Sequence, residues 1–93
     1  MTMKTHVVKS WRRFFEPISK GTRTHELRRN DRDYRQGDRL ELREYDPETH
    51  AYTGRICTVE ITSMTSADQP CAVSEEALHH DFCILSVKRI SPP

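Results

Sequence analysis

Residues 21–38, GTRTHELRRNDRDYRQGD, form a strongly charged segment that starts at one glycine and has a second glycine near its end. Only Leu27 and Tyr34 in this segment carry much apolar bulk. A β-strand normally alternates apolar and polar residues, because one of its faces is buried. Here the residues of one parity are polar and of mixed charge: Glu26, Arg28, Asn30 and Arg32. The pattern predicts either a solvated sheet edge or a strand that lines a polar cleft.

The length and composition predict one small domain spanning residues 1–93. Only 34% of the residues are hydrophobic and 31% are charged, so the core must be thin. A chain of this length buries roughly 60–65% of its extended surface. Residues 1–43 carry twelve Lys/Arg and six Asp/Glu, whereas residues 44–93 carry three and eight. The basic half suits a phosphate-bearing partner, and the acidic C-terminal half could contact a protein partner.

The cysteines and the hydropathy predict a cytoplasmic protein with no membrane association. The cysteines at 57, 71 and 83 are odd in number and form no C-x-x-C motif, and no signal peptide or transmembrane-length run is visible. Cys57 and Cys83 lie in apolar runs, where a free thiol is a small core residue. His79 and His80 precede Cys83 without a fourth ligand at a standard spacing, so neither a metal site nor a cofactor is expected.

The N-terminal third predicts a strand followed by a helix. Residues 5–9 read as a short strand, and Ser10 is a suitable helix N-cap. Trp11, Phe14, Phe15 and Ile18 then recur with helical spacing and predict an apolar, core-facing stripe, from which Trp11 alone could reach a cleft. Pro17 predicts a kink or restart, and Gly21 predicts the end of the helix.

The rest of the chain reads mainly as strands. Residues 22–29 predict a second strand, and an antiparallel hairpin follows around the turn at 46–49, which Gly54 closes. Residues 74–78 could start a short helix. The apolar run 82–87 predicts a central strand buried on both faces. One main N-terminal helix and about five strands indicate a mainly β member of the α+β class, a small barrel capped by a helix.

The charged segment and its flanks resemble a known group of domains. The residues that carry the resemblance are Gly21, the run from Thr24 to Tyr34, Gly37 to Leu40, Arg43 to Asp46, and Tyr52 to Arg55. They are similar to a bacterial and phage family of unknown-function domains in the ASCH group of the PUA-like superfamily. The resemblance covers nearly the whole chain and is weakest between residues 63 and 81. It implies a PUA-like pseudo-barrel of five or six strands whose cleft binds RNA or a single nucleotide.

The ASCH signature G-x-K-x-x-E-x-R aligns with Gly21, Arg23, Glu26 and Arg28, so an arginine stands at the lysine position. Some small ASCH proteins are amidohydrolases that act on N4-acylated cytidine, and they use the motif lysine together with a threonine and a glutamate. Lysine can lose its proton when it is desolvated, whereas arginine essentially cannot. The resemblance therefore favours ligand binding over catalysis. Thr24 and Glu26 are the remaining candidate catalytic residues.

The candidate ligand-binding residues are Arg23, Glu26, Arg28, Lys9 and Trp11. A carboxylate suits the amino edge of a base, and a guanidinium suits a phosphate or a carbonyl. Lys9 would add a charge and Trp11 a stacking surface. The alternative for Glu26 and Arg28 is an ion pair on a solvated surface, and Arg23 could equally be a surface arginine. Three function classes remain open: a binding module for RNA or a nucleotide, an amidohydrolase, and a protein-interaction module of phage or mobile-element origin.

Overall fold

The computed structural model describes residues 3–90, which form one five-stranded sheet and two helices. The elements are β1 (Thr5–Trp11), α1 (Arg12–Ser19), β2 (His25–Arg29), β3 (Arg39–Asp46), β4 (Ala51–Thr65), α2 (Ser74–Ala77) and β5 (Phe82–Arg89). The strand order is β1-β3-β4-β5-β2; β1 is parallel to β3 and the other neighbours are antiparallel. The sheet curls into a half-barrel. The predicted mainly β fold with five strands and one main N-terminal helix is confirmed.

The core lies inside the curl, under α1. Strands β3, β4 and β5 each turn alternate residues inward, as a strand with one buried face must. The core comprises Val8, Phe15, Ile18, Tyr34, Leu40, Leu42, Cys57, Val59, Ile61, Cys83, Leu85 and Val87. Cys57 and Cys83 are free and buried, as predicted. The remaining thiol, Cys71, is exposed.

The junction between β1 and α1 differs from the prediction. β1 continues to Trp11, so Ser10 is a strand residue and not the helix N-cap. Trp11 keeps an extended backbone (φ −61°, ψ 141°), and its side chain therefore leaves the helical stripe. α1 buries Phe15 and Ile18, while Trp11 and Phe14 are exposed. The prediction of one continuous apolar stripe is thus wrong for its first two aromatic residues.

α1 ends as predicted, but its course through Pro17 and the strands β4 and β5 differ from the prediction. α1 continues past Pro17 to Ser19 without a restart, and Gly21 follows with φ +79°, as expected for a helix end. β4 begins at Ala51, so Gly54 lies within the strand and not at its start. β5 alternates, with Ile84 exposed, because the outer face of the half-barrel meets solvent. The prediction that this last strand is buried on both faces is wrong.

A buried hydrogen-bonded pair, His6 and Asp38, fixes the start of β1 to the loop before β3. Nε2 of His6 lies 2.9 Å from Oδ2 of Asp38, and the backbone amides of Lys4 and Arg35 also donate to the Asp38 carboxylate. Burial alone would raise the pKa of Asp38, but the hydrogen bonds from His6, Lys4 and Arg35 outweigh it and hold that pKa below its ordinary value. Tyr34 packs edge-on against the His6 ring.

The half-barrel has a seam where β1 and β2, the two ends of the strand order, face each other. No backbone ladder joins these strands within residues 3–90. Two arginine side chains reach β1 instead: Arg28 of β2 donates to the carbonyl of Lys9, and Nη1 of Arg32, in the loop after β2, donates to the carbonyl of Val7 at 3.2 Å. Across the same described range, neither helix is long and apolar enough to cross a membrane.

Candidate functional site

An open cleft of about 630 Å³ follows the seam between β1 and β2. All five predicted ligand-binding residues line it: Lys9, Trp11, Arg23, Glu26 and Arg28. The other lining residues are Ser10, Phe14, Leu27, Arg29, Asp31, Arg32 and Tyr34. Residues from the first strand, the first helix, the second strand and its following loop therefore meet at one place.

Two charged residues at alternate positions of β2, Glu26 and Arg28, point toward the cleft. Glu26 is only 6% exposed and Arg28 is half-buried, whereas Leu27 between them is 60% exposed. This reverses the usual arrangement, in which the apolar residues of a strand are buried. An isolated carboxylate in such a position would cost several kcal/mol, so Glu26 needs a partner. The solvated-edge interpretation of this segment therefore does not apply to Glu26 and Arg28.

Arg28 supplies that partner and closes the seam at the same time. Its Nε donates to Oε2 of Glu26 at 3.0 Å, and its Nη2 donates to the backbone carbonyl of Lys9. Two of its nitrogens are thus used by the protein itself. Within the described residues no hydrogen bond involves Oε1 of Glu26, so this oxygen is available to a ligand. Arg28 acts here mainly as the residue that positions Glu26.

Two polar atoms in the cleft are buried without a hydrogen-bond partner in residues 3–90: Oγ of Ser10 and Nε of Arg23. Ser10 is 3% exposed, and the guanidinium of Arg23 lies 4.7 Å from the centroid of the Phe14 ring. Leaving a buried polar group unpaired costs about 1–3 kcal/mol. Such groups are uncommon, and here both occur in the same cleft. A ligand that offers hydrogen-bonding groups to both would recover this cost.

An aromatic rim borders these polar groups. Trp11 is 49% exposed and Phe14 is 36% exposed, although both are large apolar side chains. Proteins that hold unpaired bases use exposed aromatic rings of this kind as stacking surfaces. The rim and the polar floor together can contact the face and the edge of a planar ligand.

Lys9 and Thr24 occupy positions that differ from their predicted roles. Nζ of Lys9 lies 4.2 Å from the centroid of Tyr45, which does not line the cleft. Lys9 therefore offers the cleft its backbone carbonyl, already bound by Arg28, and not its ammonium group. Thr24 is exposed and does not line the cleft, and its carbonyl accepts a hydrogen bond from the amide of Val87 at 2.9 Å. Glu26 alone of the two catalytic candidates lies in the cleft.

The charge of the lining favours an anionic ligand. The side chains of Arg23, Arg28, Arg29 and Arg32 outnumber those of Glu26 and Asp31. Cationic clefts with low-dielectric walls attract negatively charged ligands. Burial raises the pKa of the Tyr34 hydroxyl, although the nearby arginine charges partly oppose this, so the group stays protonated at neutral pH.

Sequence reasoning missed Ser10 and Phe14 as cleft residues. Serine before an aromatic helical pattern is the usual N-cap signal, and Phe14 fits the predicted apolar stripe. Only the extra two residues of β1, which pair with β3, carry Ser10 into the cleft. No local signal in the sequence distinguishes these placements, because the pairing joins segments that are far apart in the chain.

The chain belongs to the family described as domain of unknown function (DUF3850), whose model matches residues 5–87. The match includes every residue that lines the cleft. A search of curated proteins finds no match. The family is thus established for the whole region that forms the cleft, and the family description carries no activity.

Proposed function

We propose that this DUF3850 domain binds RNA or a nucleotide-sized ligand in the cleft along the seam. The observation that carries the proposal is the cluster of unsatisfied polar groups in the cleft. Within residues 3–90, Oγ of Ser10 and Nε of Arg23 are buried without hydrogen-bond partners, and the buried Glu26 is bound by Arg28 through Oε2. The resemblance to the ASCH group of the PUA-like superfamily supports the same conclusion, since its signature positions include Arg23, Glu26 and Arg28.

Each group has a role that suits a nucleotide. Oε1 of Glu26 accepts a hydrogen bond from an exocyclic amino group of the base. Nε of Arg23 donates to a carbonyl or phosphate oxygen, and the hydroxyl of Ser10 can either donate or accept. Trp11 stacks on the face of the base. The excess of arginines around the cleft attracts the phosphate.

The dimensions of the cleft favour one nucleotide over a duplex. Its volume of about 630 Å³ lies within the range of roughly 300–1,000 Å³ that is typical of small-molecule sites. An RNA ligand would therefore insert a single unpaired base, with its neighbours outside the cleft. Single-stranded loops and ends supply such bases.

The test uses Trp11 as its reporter. Trp11 is the only tryptophan of the chain and lies at the rim of the cleft, so its fluorescence responds to ligand stacking. Short single-stranded RNA, nucleoside monophosphates and free nucleosides are titrated into the wild type and into Glu26→Ala, Arg28→Ala and Ser10→Ala variants. We expect Glu26→Ala and Arg28→Ala to bind at least about tenfold more weakly, as loss of one charged contact predicts. Ser10→Ala should bind about two- to tenfold more weakly, as loss of one neutral hydrogen bond predicts.

A matched control exists on β3. Glu41 and Arg43 have the same spacing and the same contact as Glu26 and Arg28, with Nε and Oε2 2.9 Å apart, but they lie outside the cleft. Glu41→Ala and Arg43→Ala should leave binding unchanged. Equal effects at both pairs, or unchanged binding in all cleft variants, would contradict the proposal.

A second candidate function is an amidohydrolase that acts on an N4-acylated cytidine. The free carboxylate oxygen of Glu26 supports it, because a buried carboxylate can act as a general base. Arg23 at the lysine position and the placement of Thr24 outside the cleft weigh against it. Incubation with N4-acetylcytidine, with Glu26→Gln as the control, tests this candidate by the release of cytidine. Release equal to that in buffer would reject it.

The third candidate, a protein-interaction module, predicts a different outcome. In that case a pull-down recovers a stoichiometric protein partner, no nucleic acid accompanies it, and the cleft variants retain the partner. Charge reversal of Glu75 and Glu76, which are exposed on α2 in the acidic half, would then abolish recovery.

A further inference from the structure

The turn that joins α2 to β5 holds two histidines and an aspartate in a fixed arrangement. The amide of Phe82 donates to the carbonyl of His79 at 3.0 Å, which closes the turn. The amide of Asn30 donates to the carbonyl of Asp81 at 2.7 Å, which ties the turn to the end of β2. The backbone of this exposed segment is therefore anchored on two sides.

The side chains of the turn converge. The rings of His79 and His80 are stacked, with centroids 4.4 Å apart, and His79 also packs edge-on against Phe82 at 5.8 Å. Oδ1 of Asp81 lies 3.3 Å from Nε2 of His80, and Oδ2 lies 3.8 Å from Nδ1 of His79. One ligand atom from each of the three residues lies within 4.8 Å of the others.

We propose that His79, His80 and Asp81 form a binding site for a divalent transition-metal ion, with Zn²⁺ as the best-fitting ion. Two imidazole nitrogens and one carboxylate are common zinc ligands. Bonds of about 2.0–2.2 Å in tetrahedral geometry place neighbouring ligand atoms roughly 3.4 Å apart. The carboxylate of Asp81 lies 3.3 Å and 3.8 Å from the two imidazole nitrogens, close to this value. The three ligand atoms lie within 4.8 Å of one another, so rotation of the exposed imidazole rings completes the geometry.

A hydrogen bond of the turn involves one of the ligands. The amide of Asp81 donates to Nδ1 of His79 at 3.1 Å, so the lone pair of this nitrogen points at that amide. A metal ion bound at Nδ1 takes the place of this hydrogen bond. His79 and His80 also line a second cleft, of about 400 Å³, together with Glu75. The fourth coordination position therefore remains open to water or to a further oxygen ligand.

The site does not depend on the proposed ligand cleft, and it differs from the metal pattern examined in the sequence. That pattern paired the two histidines with Cys83, but Cys83 is fully buried in the core while both histidines are exposed. Asp81, which lies between His80 and the strand, supplies the third ligand instead. The three residues are adjacent in the chain, so the turn alone assembles the site.

The experiment is a calorimetric titration of the untagged protein with Zn²⁺, repeated with Mg²⁺. We expect one Zn²⁺ per chain and no Mg²⁺ binding, since nitrogen ligands disfavour Mg²⁺. His79→Ala and His80→Ala should each weaken Zn²⁺ binding by at least about tenfold. Loss of a residue that only hydrogen-bonds to a metal ligand already lowers metal affinity by about this factor. The side chain of His80 is 77% exposed, so His80→Ala remains decisive if His79→Ala does not fold.

The chain offers matched controls. His25 and His50 are exposed histidines outside the cluster, and Cys71 is the exposed thiol. His25→Ala, His50→Ala and Cys71→Ser should retain wild-type Zn²⁺ affinity. The proposal is overturned if Zn²⁺ gives no saturable binding, if the two control histidines matter as much as the cluster, or if Cys71→Ser abolishes binding.

Discussion

Replacement of Arg28 by alanine should destabilise the domain far more than the same change at Arg43. Both arginines donate through Nε to a glutamate two positions earlier on their strand. The environments differ: the side chains of Glu26 and Arg28 are 8% and 20% exposed, whereas those of Glu41 and Arg43 are 27% and 50% exposed. The comparison therefore isolates the effect of burial on one type of ion pair.

The structure allows the size of the effect to be worked out. Arg28→Ala removes a hydrogen bond to a carboxylate and one to the carbonyl of Lys9, and it leaves Glu26 buried without a partner. Breaking a fully buried pair costs about 3–5 kcal/mol. Because the cleft admits water, we expect about 2–3 kcal/mol here, against about 0.5 kcal/mol for the exposed pair at Arg43. For a domain of this size these losses correspond to Tm decreases of roughly 8–24 °C and 2–4 °C.

Thermal and urea unfolding of both variants, followed by circular dichroism, measures these differences. The double variant Glu26→Ala/Arg28→Ala adds an internal check, because it also removes the unpaired carboxylate. Its destabilisation should be smaller than the sum of the two single variants by about 1 kcal/mol or more. Equal Tm decreases for Arg28→Ala and Arg43→Ala, or strict additivity in the double variant, would refute the assignment of a buried, stability-bearing pair in the cleft.

Three further predictions concern other parts of the fold. Because the pKa of Asp38 is lowered, its ionised carboxylate stabilises the protein at pH values above the ordinary carboxyl pKa. The free energy of unfolding should therefore fall as the pH drops below about 4. Asp38→Asn should flatten this pH dependence, measured by urea unfolding at several pH values. Leu27→Gln should change stability by less than about 0.5 kcal/mol because Leu27 is exposed, whereas Leu42→Ala in the core should cost about 2–5 kcal/mol; similar costs for the two would contradict the reversed orientation of β2. Arg32→Ala should accelerate amide hydrogen exchange in β1 and leave the β3–β4 hairpin unchanged, since it removes one of the two bridges across the seam.

The hairpin and the core could be predicted from the sequence because their signals are local. Leu40 and Leu42 alternate with charged residues, and Cys57 continues the buried parity of the partner strand. The turn predicted at residues 46–49 around Pro47 is observed at residues 47–50. Register then follows, because a slip of one residue would turn every buried side chain to solvent. These features need no knowledge of distant segments.

The orientation of β2 could not be predicted in the same way. Leu27 is its one large apolar residue, and pattern reasoning alone would bury it. Within residues 3–90, β2 pairs only with β5 and buries its other parity, so Leu27 is left exposed at the border of the cleft. The signature positions Arg23, Glu26 and Arg28 all line the cleft, but the contacts of Arg28 also depend on Lys9, whose carbonyl comes from the opposite edge.

The missing backbone ladder between β1 and β2 connects the stability of the domain with its candidate site. A closed barrel would satisfy the carbonyls of Val7 and Lys9 by strand pairing and leave no room for polar side chains between the edges. Here long arginine side chains, and not a neighbouring strand, donate to these carbonyls. The space that these side chains span between the two strand edges becomes the cleft. Arg28 bonds both the opposite edge and Glu26, so a ligand that draws Arg28 away would loosen the seam and free the carboxylate together. Oγ of Ser10 and Nε of Arg23 have no hydrogen-bond partner there within the described part of the chain. The polar groups that weaken the fold are therefore the same groups that can recognise a ligand, as is common at binding sites held on small domains.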